Sequence, residues 1–444
     1  MLVKSMKYFI FQFIYHEDSG RRIISIYFSL TPFPAFPHGG RRTNQASRLG
    51  RTGKRKDTIL NRCNLLFLLL TFNWLMAKSS SRLVSLDILR GMTVAFMIIV
   101  NTPGSWDHVY PVLRHSSWNG CTPTDLVFPF FLFMVGVSMW YSMKNFGNEL
   151  TGGLAWRIIR RTVTIFILGL FLAIFPYFKM DYSTLRIMGV LQRIALAYLL
   201  SSIICLAIKR EYLWIVIALI LLVYWALLAF LGGSDPFSLT GNLVRKVDLA
   251  ILGSKHMYAG FGIPFDPEGL LSTFPAMATV ITGYYIGEIA GKGSANGSTV
   301  LKLIFIGAAA TGLGLLWGMV FPVNKPLWTS SYVLYTAGIA TAAFALVYLI
   351  ADVLKFRIWG AFFSVFGTNA LFSYFLAAVW TEMLLFVKVP VGAVKISLYD
   401  WFYEKVCVHI AGNITGSLMF ALIQMLIIWS VALILYRKKV MIRL

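Results

Sequence analysis

The chain has 444 residues, of which 58% are hydrophobic and 13% charged, whereas soluble domains carry about 25% charged residues. The apolar residues fall in runs long enough to cross about 30 Å of hydrocarbon, which takes about 20 helical residues, and this excludes a soluble globular protein. The net charge of +22 lies largely in a basic N-terminal segment and in short loops between apolar runs. That is the positive-inside pattern of membrane proteins, and it argues against a nucleic-acid partner.

The first 75 residues differ in composition from the rest. They hold twelve Lys or Arg against three Asp or Glu, and they end in a short apolar run at 65–75. That run resembles a signal-peptide core without a cleavage site. We predict that residues 1–75 are a basic leader or an over-extended start, and that the functional fold comprises residues 76–444, beginning at Met76. A disordered basic arm is the alternative.

Beyond residue 83 the apolar runs predict ten spanning helices, because backbone groups in lipid must be satisfied within the segment. They lie at 84–103, 123–143, 160–178, 187–208, 212–231, 271–290, 300–320, 332–352, 361–387 and 417–436. Alternate loops differ in Lys and Arg content, which places both termini in the cytoplasm. The predicted fold class is all-α, a polytopic transmembrane helical bundle of about ten spans, in a bacterial inner (cytoplasmic) membrane.

Several ionisable residues lie within these spans, where a charge costs about 2.5–3.5 kcal/mol on insertion scales. Asp87 and Arg90 are three residues apart, and they suit a structural ion pair as well as a functional one. Asp125 begins the second span, and Arg193 lies inside the fourth. We expect a polar cavity around Arg193.

The loop between the first two spans has the densest set of reactive side chains. It reads NTPGSWDHVYPVLRHSSWNGCTPTDLVFPFF over residues 101–131 and contains His108 and His115. Histidine is the usual general base near neutral pH and a transient acyl carrier. We expect His108 to be solvated, whereas spacing alone leaves His115 open between a solvated and a catalytic role.

Three further polar clusters lie at span ends: FGIPFDPEGLLST at 261–273, FPVNKPLWTSS at 321–331 and FGTNALFSY at 366–374. Polar Pro- and Gly-rich turns are often mere connectors. Four of them on one face of the membrane favour a shared binding cavity instead.

Several common signals are absent from the sequence. The four cysteines have no zinc-site or disulfide-framework spacing, although a bridge between Cys121 and Cys407 stays open. GxxxxGK[ST], HExxH and GxSxG do not occur, so ATP hydrolysis, zinc peptidase and serine hydrolase chemistry lack support. We predict no metal.

The polar clusters resemble the transmembrane family of heparan-α-glucosaminide N-acetyltransferase and its bacterial relatives. The matching stretches are SLDILRGM, VNTPGSWDHVYPVLRHSSWNGCTPTDLVFPFFLFMVGVS, IMGVLQRIALAY, FDPEGLLST, PVNKPLWTSSYVL and FGTNALFSY. They run in the family's order over about residues 82–376, which is most of the membrane domain. The resemblance implies an acyltransferase that takes acetyl from cytosolic acetyl-CoA and acetylates a glucosamine-type amine on the far side.

The resemblance also implies site residues. The family's active histidine, in H-x-x-W-x-G, falls on His115, and its functional asparagine falls on Asn101. The attacking amine must lose a proton, which requires a base. The side-chain amide of Asn101 is suited to donate a hydrogen bond to the oxyanion of the tetrahedral intermediate. Asp125 is suited to orient the imidazole of His115. Acetylation of His115 stays open, but we favour base catalysis in a ternary complex.

Other candidates bind the two substrates. Cytoplasmic cations suit the CoA phosphates, although the positive-inside rule accounts for each of them as well: Arg82, Arg157, Arg160, Arg161 and Lys438. Arg90 and Arg193 are further cofactor-binding candidates. Groups suited to a sugar acceptor are Trp118, Asp266, Glu268, Asn324, Lys325, Trp328 and Asn369.

The alternative function is a secondary transporter of a sugar or another polar solute, for which ten spans and Arg193 are equally suitable. Transporters usually show two related halves, and no internal repeat is visible here. A non-catalytic polymer-assembly subunit would not account for the His115 loop. The predicted partners are the lipid bilayer and a glycan or amino-sugar acceptor, with a homodimer left open.

Overall fold

The computed structural model describes residues 10–18, 21–29, 83–146, 151–178, 181–293 and 295–443. The apolar run at 65–75, the start at Met76 and the cation Arg82 lie outside these ranges. The division at residue 75 therefore stays a prediction.

Helices make up most of the described chain. The long ones are α1 (Val84–Asn101), α2 (Val127–Met143), α3 (Gly152–Ile174), α4 (Val190–Ala207), α5 (Leu213–Leu231), α6 (Leu243–Leu252), α7 (Leu270–Lys292), α8 (Gly297–Gly318), α9 (Ser330–Tyr348), α10 (Ala361–Thr368), α11 (Ala370–Phe386) and α14 (Asn413–Arg437). Two short helices, α12 (Leu398–Phe402) and α13 (Val408–Ala411), precede α14.

The few strands form two small sheets. In one, β1 (Ile10–Asp18) pairs antiparallel with β2 (Arg21–Ser29), which pairs in parallel with β5 (Val440–Arg443). In the other, β3 (Lys388–Val391) and β4 (Val394–Ser397) form a hairpin. The described part of the chain is therefore a helical bundle with little sheet, which confirms the predicted fold class.

All ten predicted spans are helical. Among the described residues, seven helices are long and apolar enough to cross a membrane, and α10 with α11, bent by 71°, would make an eighth. The other two predicted spans are α3 and α7. The first turns of α3 carry Arg157, Arg160 and Arg161, and α7 is rich in Gly, Ser and Thr. The count of ten and the side of the termini stay predictions.

Helix α7 lies at the centre of the bundle, in contact with α2, α4, α5 and α9. Its crossing with α2 is very close: a Cβ added at Gly136 would lie 1.9 Å from the Val280 oxygen, and one at Gly283 would lie 2.0 Å from the Phe133 oxygen. Small residues allow such close contact between membrane helices. A central helix faces protein on all sides, which explains how α7 accommodates its polar residues.

Polar N-cap residues mark where several helices begin. The Thr151 hydroxyl accepts a hydrogen bond from Leu154 N at the start of α3, and Asn242 Oδ1 accepts one from Arg245 N at 2.7 Å at the start of α6. Such caps satisfy backbone donors that a helix leaves free. Helix α6 lies within 232–270, a segment between two predicted spans in which the sequence predicts no helix.

The antiparallel helices gather their connections at two ends of the bundle. We call the end that holds the 102–126 loop the histidine end, and the other the opposite end. Tyr399 donates to the Pro103 oxygen at the histidine end, whereas Asp352 accepts from the N–H groups of Val84 and Ser85 at the opposite end. Cys121 and Cys407 are free thiols, so the bridge that the sequence left open does not form.

Candidate active site

The site is built on the turn that begins α2. In the segment Thr122-Pro-Thr-Asp125, the carboxylate of Asp125 accepts at Oδ2 from Thr122 N at 3.1 Å and from Thr122 Oγ1 at 3.0 Å. Ser116 N donates to the same oxygen at 3.0 Å. This capping box fixes Asp125, whose side chain is 1% exposed, and it binds the preceding loop to the helix.

Asp125 holds His115. Nδ1 of His115 lies 2.6 Å from Asp125 Oδ1, and the imidazole is 41% exposed. A contact this short to an ionised carboxylate requires a proton on Nδ1, because two lone pairs would repel each other. Nε2 is then the ring nitrogen with a free lone pair. A partly exposed imidazole on a buried carboxylate is the arrangement of an oriented general base.

Lys325 approaches the same pair from the loop between α8 and α9. Its Nζ lies 3.3 Å from Asp125 Oδ1 and 3.2 Å from His115 Nδ1. Since Nδ1 carries a proton, the second contact is not a hydrogen bond, and Lys325 pairs with the carboxylate. The backbone joins the two loops as well, because Gly120 N donates to the Val323 oxygen at 2.7 Å. Gly120 has φ 105°, a region that glycine enters without strain.

Asn324 locks these loops together. Its fully buried side chain donates from Nδ2 to the Trp118 oxygen and to Asn119 Oδ1, both at 3.0 Å. Its Oδ1 accepts from Leu327 N at 2.7 Å. The side chain of Asn324, predicted to bind sugar, is thus engaged in holding the His115 loop in position.

Trp118 anchors the same loop. Its indole N–H donates to the Phe237 oxygen at 2.8 Å, and its ring packs edge-on against Phe261 and Phe265. These contacts bind the loop to the segment between α5 and α7. Trp118 was also predicted to bind sugar, and the structure places its ring within an apolar cluster.

Arg193 lies fully buried in the first turn of α4. Its Nη2 donates to the hydroxyl of Ser272 and to the Gly269 oxygen, and its guanidinium lies 4.9 Å from the ring centre of Trp328. Nε and Nη1 have no hydrogen-bond acceptor among the described residues. Buried donors normally have partners, so Arg193 is suited to a polar ligand, and the polar cavity expected around it stays a prediction.

Trp328 connects Arg193 to the Asp125 turn. It is 1% exposed, and its ring packs edge-on against Phe128 and Tyr332. The Tyr332 hydroxyl donates to the Asp125 backbone oxygen at 2.6 Å. Trp328 has φ 51°, which is a strained region for a bulky residue. These contacts place the Trp328 ring between Arg193 and the Asp125 turn.

Arg186, which no motif in the sequence singled out, forms ion pairs with two carboxylates at the histidine end. Its Nη2 lies 2.7 Å from Asp266 Oδ1 and 2.6 Å from Glu268 Oε2, and its Nε donates to Asp266 Oδ2 at 3.0 Å. Asp266 is fully buried. These carboxylates hold the pKa of Arg186 above its usual range, against an opposing effect of burial. Asp266 and Glu268, predicted to bind sugar, are therefore bound to Arg186.

Asp248 of α6 caps the central helix at the same end. Its Oδ1 accepts from Leu270 N at 3.0 Å and from Leu271 N at 3.3 Å. Its Oδ2 is buried and has no hydrogen-bond partner among the described residues. Burial raises the pKa of Asp248 to about 6, although the two backbone bonds act in the other direction. No motif in the sequence singles out this residue.

Asn101 and His108 lie on the chain that leads to His115. Asn101 is the last residue of α1, and its side chain is exposed. His108 is half-buried, with Nδ1 at 3.4 Å from the Tyr403 hydroxyl, so it is less solvated than we predicted. Both lie at the histidine end, and the catalytic role of Asn101 stays a prediction.

Other cationic candidates lie away from His115. Arg90 pairs with Asp87 at 3.3 Å and donates to Ser138 and to the Gly367 oxygen. These contacts join α1 to α2 and α10, in agreement with the structural interpretation of Asp87 and Arg90. Arg90 was predicted to bind cofactor and is here part of helix packing.

Arg160 and Arg161 lie on the half of α3 that begins at the opposite end. Both are half-buried, and the Arg161 guanidinium lies 4.7 Å from the ring centre of Tyr198. Arg157 similarly lies 4.9 Å from the ring of Phe146. Of the three, Arg160 and Arg161 lie deeper in the bundle.

Asn369 departs from the prediction. It lies at the break between α10 and α11, where Nδ2 donates to the Val440 oxygen at 3.0 Å and Oδ1 accepts from Ile442 N at 2.8 Å. Strand β5 follows the last residue of α14 at the opposite end, so Asn369 does not lie with His115. The expected shared cavity of four polar clusters is wrong for this cluster, because its amide binds the C-terminal strand.

Comparison with known proteins gives consistent matches. The family described as heparan-alpha-glucosaminide N-acetyltransferase, catalytic, matches residues 82–316. Heparan-alpha-glucosaminide N-acetyltransferase from Homo sapiens is 27% identical over 83% of this chain and 60% of its own length. The protein of the same name from Mus musculus is 25% identical over 62% of this chain and 50% of its own length. The chain thus spans only about half to three-fifths of these curated relatives.

Proposed function

This chain belongs to the heparan-alpha-glucosaminide N-acetyltransferase catalytic family, and from that membership and the His115–Asp125 pair we propose that it acetylates an amino sugar. The donor is acetyl-CoA from the cytosol, and the acceptor is a glucosamine-type amine on the far side of a bacterial inner membrane. The observation that carries this proposal is the 2.6 Å contact between His115 Nδ1 and the buried carboxylate of Asp125.

The reaction needs one base at the attacking amine. The amine nitrogen attacks the thioester carbonyl carbon, the C–N bond forms, and the C–S bond breaks with release of the CoA thiol. Nε2 of His115 takes the amine proton and returns it to the leaving sulfur. A positioned base of this kind contributes about 10²- to 10⁴-fold in rate.

The neighbouring groups orient and stabilise this base. Asp125 fixes the tautomer with Nδ1 protonated and stabilises the imidazolium that forms when Nε2 takes a proton. Lys325 pairs with Asp125 and keeps the carboxylate in place. The amide of Asn101 donates to the oxyanion of the tetrahedral intermediate.

The buried cation Arg193 suits the acyl donor. Its two N–H groups that lack acceptors among the described residues are separated from the Asp125 turn by one aromatic ring. At this position they suit the amide carbonyl oxygens in the arm of acetyl-CoA. Arg160 and Arg161 suit the phosphates. Arg161 lies 13 residues before the end of α3 at Ile174, which is about 20 Å along the helix.

That distance fits the donor. The arm of CoA between its diphosphate and its sulfur is about 16 Å long when extended, if three bonds span about 3.6 Å as in a backbone. An arginine side chain spans the rest of the distance along α3. Of the residues predicted to bind sugar, Lys325 lies against His115. We propose that Trp118, Asn324, Trp328, Asp266 and Glu268 shape the site without contacting the acceptor.

The proposal is tested in proteoliposomes with the full chain in one orientation. Labelled acetyl-CoA is enclosed at the opposite end of the protein, and glucosamine is supplied at the histidine end. We expect labelled N-acetylglucosamine on the glucosamine side and free CoA on the other. Labelled product only when both substrates share a compartment would overturn the transmembrane part of the proposal.

One observation favours a secondary transporter. The bent pair α10–α11 resembles the discontinuous helices that form transporter binding sites. However, Asn369 at that break binds the C-terminal strand. In the same proteoliposomes a transporter would accumulate unmodified, unlabelled glucosamine, whereas the enzyme would yield labelled N-acetylglucosamine, so chemical analysis of the sugar separates the two functions.

A further inference from the structure

A cation-lined groove lies at the opposite end of the bundle. It is an open groove with a volume of about 760 Å³, and it lies between the end of α7, the turn before α5 and the first turns of α8. Its charged side chains are Lys209, Arg210, Glu211, Glu288, Lys292 and Lys302. The catalytic proposal uses none of them.

The groove has cations without carboxylate partners. Glu288 binds both Arg210, at 2.9 Å, and Lys292, at 2.7 Å. Lys209 and Lys302 are exposed, and neither forms an ion pair with any described residue. The groove therefore keeps an excess of positive charge that suits an anion.

The walls of the groove face lipid. In the apolar parts of α5 and α8 only 28% and 22% of the residues are buried, the lowest fractions among the candidate spans. Leu301 and Phe305 of α8 and Trp214 of α5, all close to the groove, are 69%, 75% and 59% exposed. Acyl chains would cover these side chains, and an exposed tryptophan near a span end is typical of the headgroup region.

The length of α7 places this groove far from the end of the bundle at which the thioester of acetyl-CoA would react. Helix α7 runs from Leu270, at the histidine end, to Lys292, which is about 33 Å. The arm of CoA spans about 16 Å when extended. The α7 residues that line the groove, Tyr285 to Lys292, thus lie about 22–33 Å along the helix from Leu270, beyond the length of the extended arm alone, and competition with CoA tests whether the donor reaches them.

We propose that the groove binds the phosphate headgroup of an anionic membrane lipid. Lys209 and Lys302 contact the phosphate, and the acyl chains lie along the exposed faces of α5 and α8. Basic pockets between spans on the cytoplasmic side are suited to such headgroups. This proposal goes beyond acetyl transfer and is tested by binding alone.

The test is native mass spectrometry of the full chain, titrated with phosphatidylglycerol or with phosphatidylcholine. We expect Lys209→Gln with Lys302→Gln to weaken phosphatidylglycerol binding roughly 10- to 30-fold, as expected for two lysines at a membrane surface. The control, Lys144→Gln with Lys355→Gln, removes the same charge from exposed residues outside the groove and should leave affinity unchanged. Glu288→Gln, which removes a carboxylate, should tighten binding.

Competition identifies the source of the phosphate. We expect neither inorganic phosphate nor CoA to displace phosphatidylglycerol at concentrations that saturate a soluble-phosphate site. Displacement by either would assign the groove to a soluble phosphate compound and overturn the lipid proposal. Equal weakening in the groove and control variants would also overturn it, because it would reflect general charge attraction.

Discussion

Lys325 Nζ lies 3.3 Å from Asp125 Oδ1, and the two side chains are 19% and 1% exposed. This ion pair joins the loop before α9 to the turn that begins α2. The same carboxylate oxygen contacts His115. Placement of the imidazole therefore depends on two loops that lie far apart in the sequence.

Breaking this ion pair should destabilise the fold. Lys325→Met removes the positive charge that pairs with the buried carboxylate of Asp125. We therefore expect a loss of about 1–3 kcal/mol in the free energy of unfolding. In a double-mutant cycle with Asp125→Asn, the two losses should be less than additive by about 1 kcal/mol or more. The measurement is chemical unfolding in detergent, with Lys325→Arg as the conservative control. Fully additive losses would contradict the pairing.

Asp125→Asn should reduce catalysis more than substrate binding. The amide cannot stabilise the imidazolium and can favour the wrong tautomer of His115, so we expect kcat to fall roughly 10²- to 10⁴-fold, with little change in KM. Steady-state acetyl transfer measures both constants. Asp181→Asn, which alters an exposed loop carboxylate, is the control and should behave as wild type. A change confined to KM would assign Asp125 to substrate binding.

Arg186→Gln should destabilise the histidine end. It leaves the fully buried Asp266 without its partner, and removal of one member of a buried pair costs about 3–5 kcal/mol. The loss is expected as a fall in Tm. Lys246→Gln removes the same charge from an exposed position on α6 and should change stability by less than about 0.5 kcal/mol. Equal Tm values for the two variants would show that Arg186 is not structural.

Asp248 should make stability depend on pH. Burial raises its pKa to about 6, above the value of about 3.9 in unfolded chains. The folded state therefore binds more protons between these values, and its stability falls as pH rises from about 4 through 6. In Asp248→Asn this loss should disappear, since the side chain no longer ionises. Identical pH dependence of Tm in wild type and variant between pH 4 and 7 would contradict the assignment.

Much of the fold could be predicted from hydrophobic patterning alone. Each of the ten apolar segments is helical, and nine are single helices, because a backbone in lipid has few other ways to satisfy its hydrogen bonds. Helix α6 was missed, since it lies outside the apolar runs and is short and amphipathic. The break at Asn369 was missed for another reason: the apolar run continues through it, and its partner is a strand at the far end of the chain.

The site could be predicted only in part. The capping box Thr122-Pro-Thr-Asp125 can be recognised in the sequence as a local motif. The pairing of Asp125 with His115 can be expected because the two residues lie ten positions apart in one loop. Lys325 and Arg186 depend on contacts between distant loops, which no local pattern encodes. For the same reason the sequence did not indicate that Asn324 and Asp266 hold protein groups, which their hydrogen bonds show.

The most direct test of the account is the kcat/KM for acetyl transfer from labelled acetyl-CoA to glucosamine by His115→Gln. We predict a fall of roughly 10²- to 10⁴-fold with an unchanged Tm, because the variant lacks the base but leaves the buried Asp125 turn in place. His409→Gln, an exposed histidine on α13 at the same end, should transfer acetyl as wild type does. Wild-type kcat/KM in His115→Gln would contradict the proposed role of the His115–Asp125 pair.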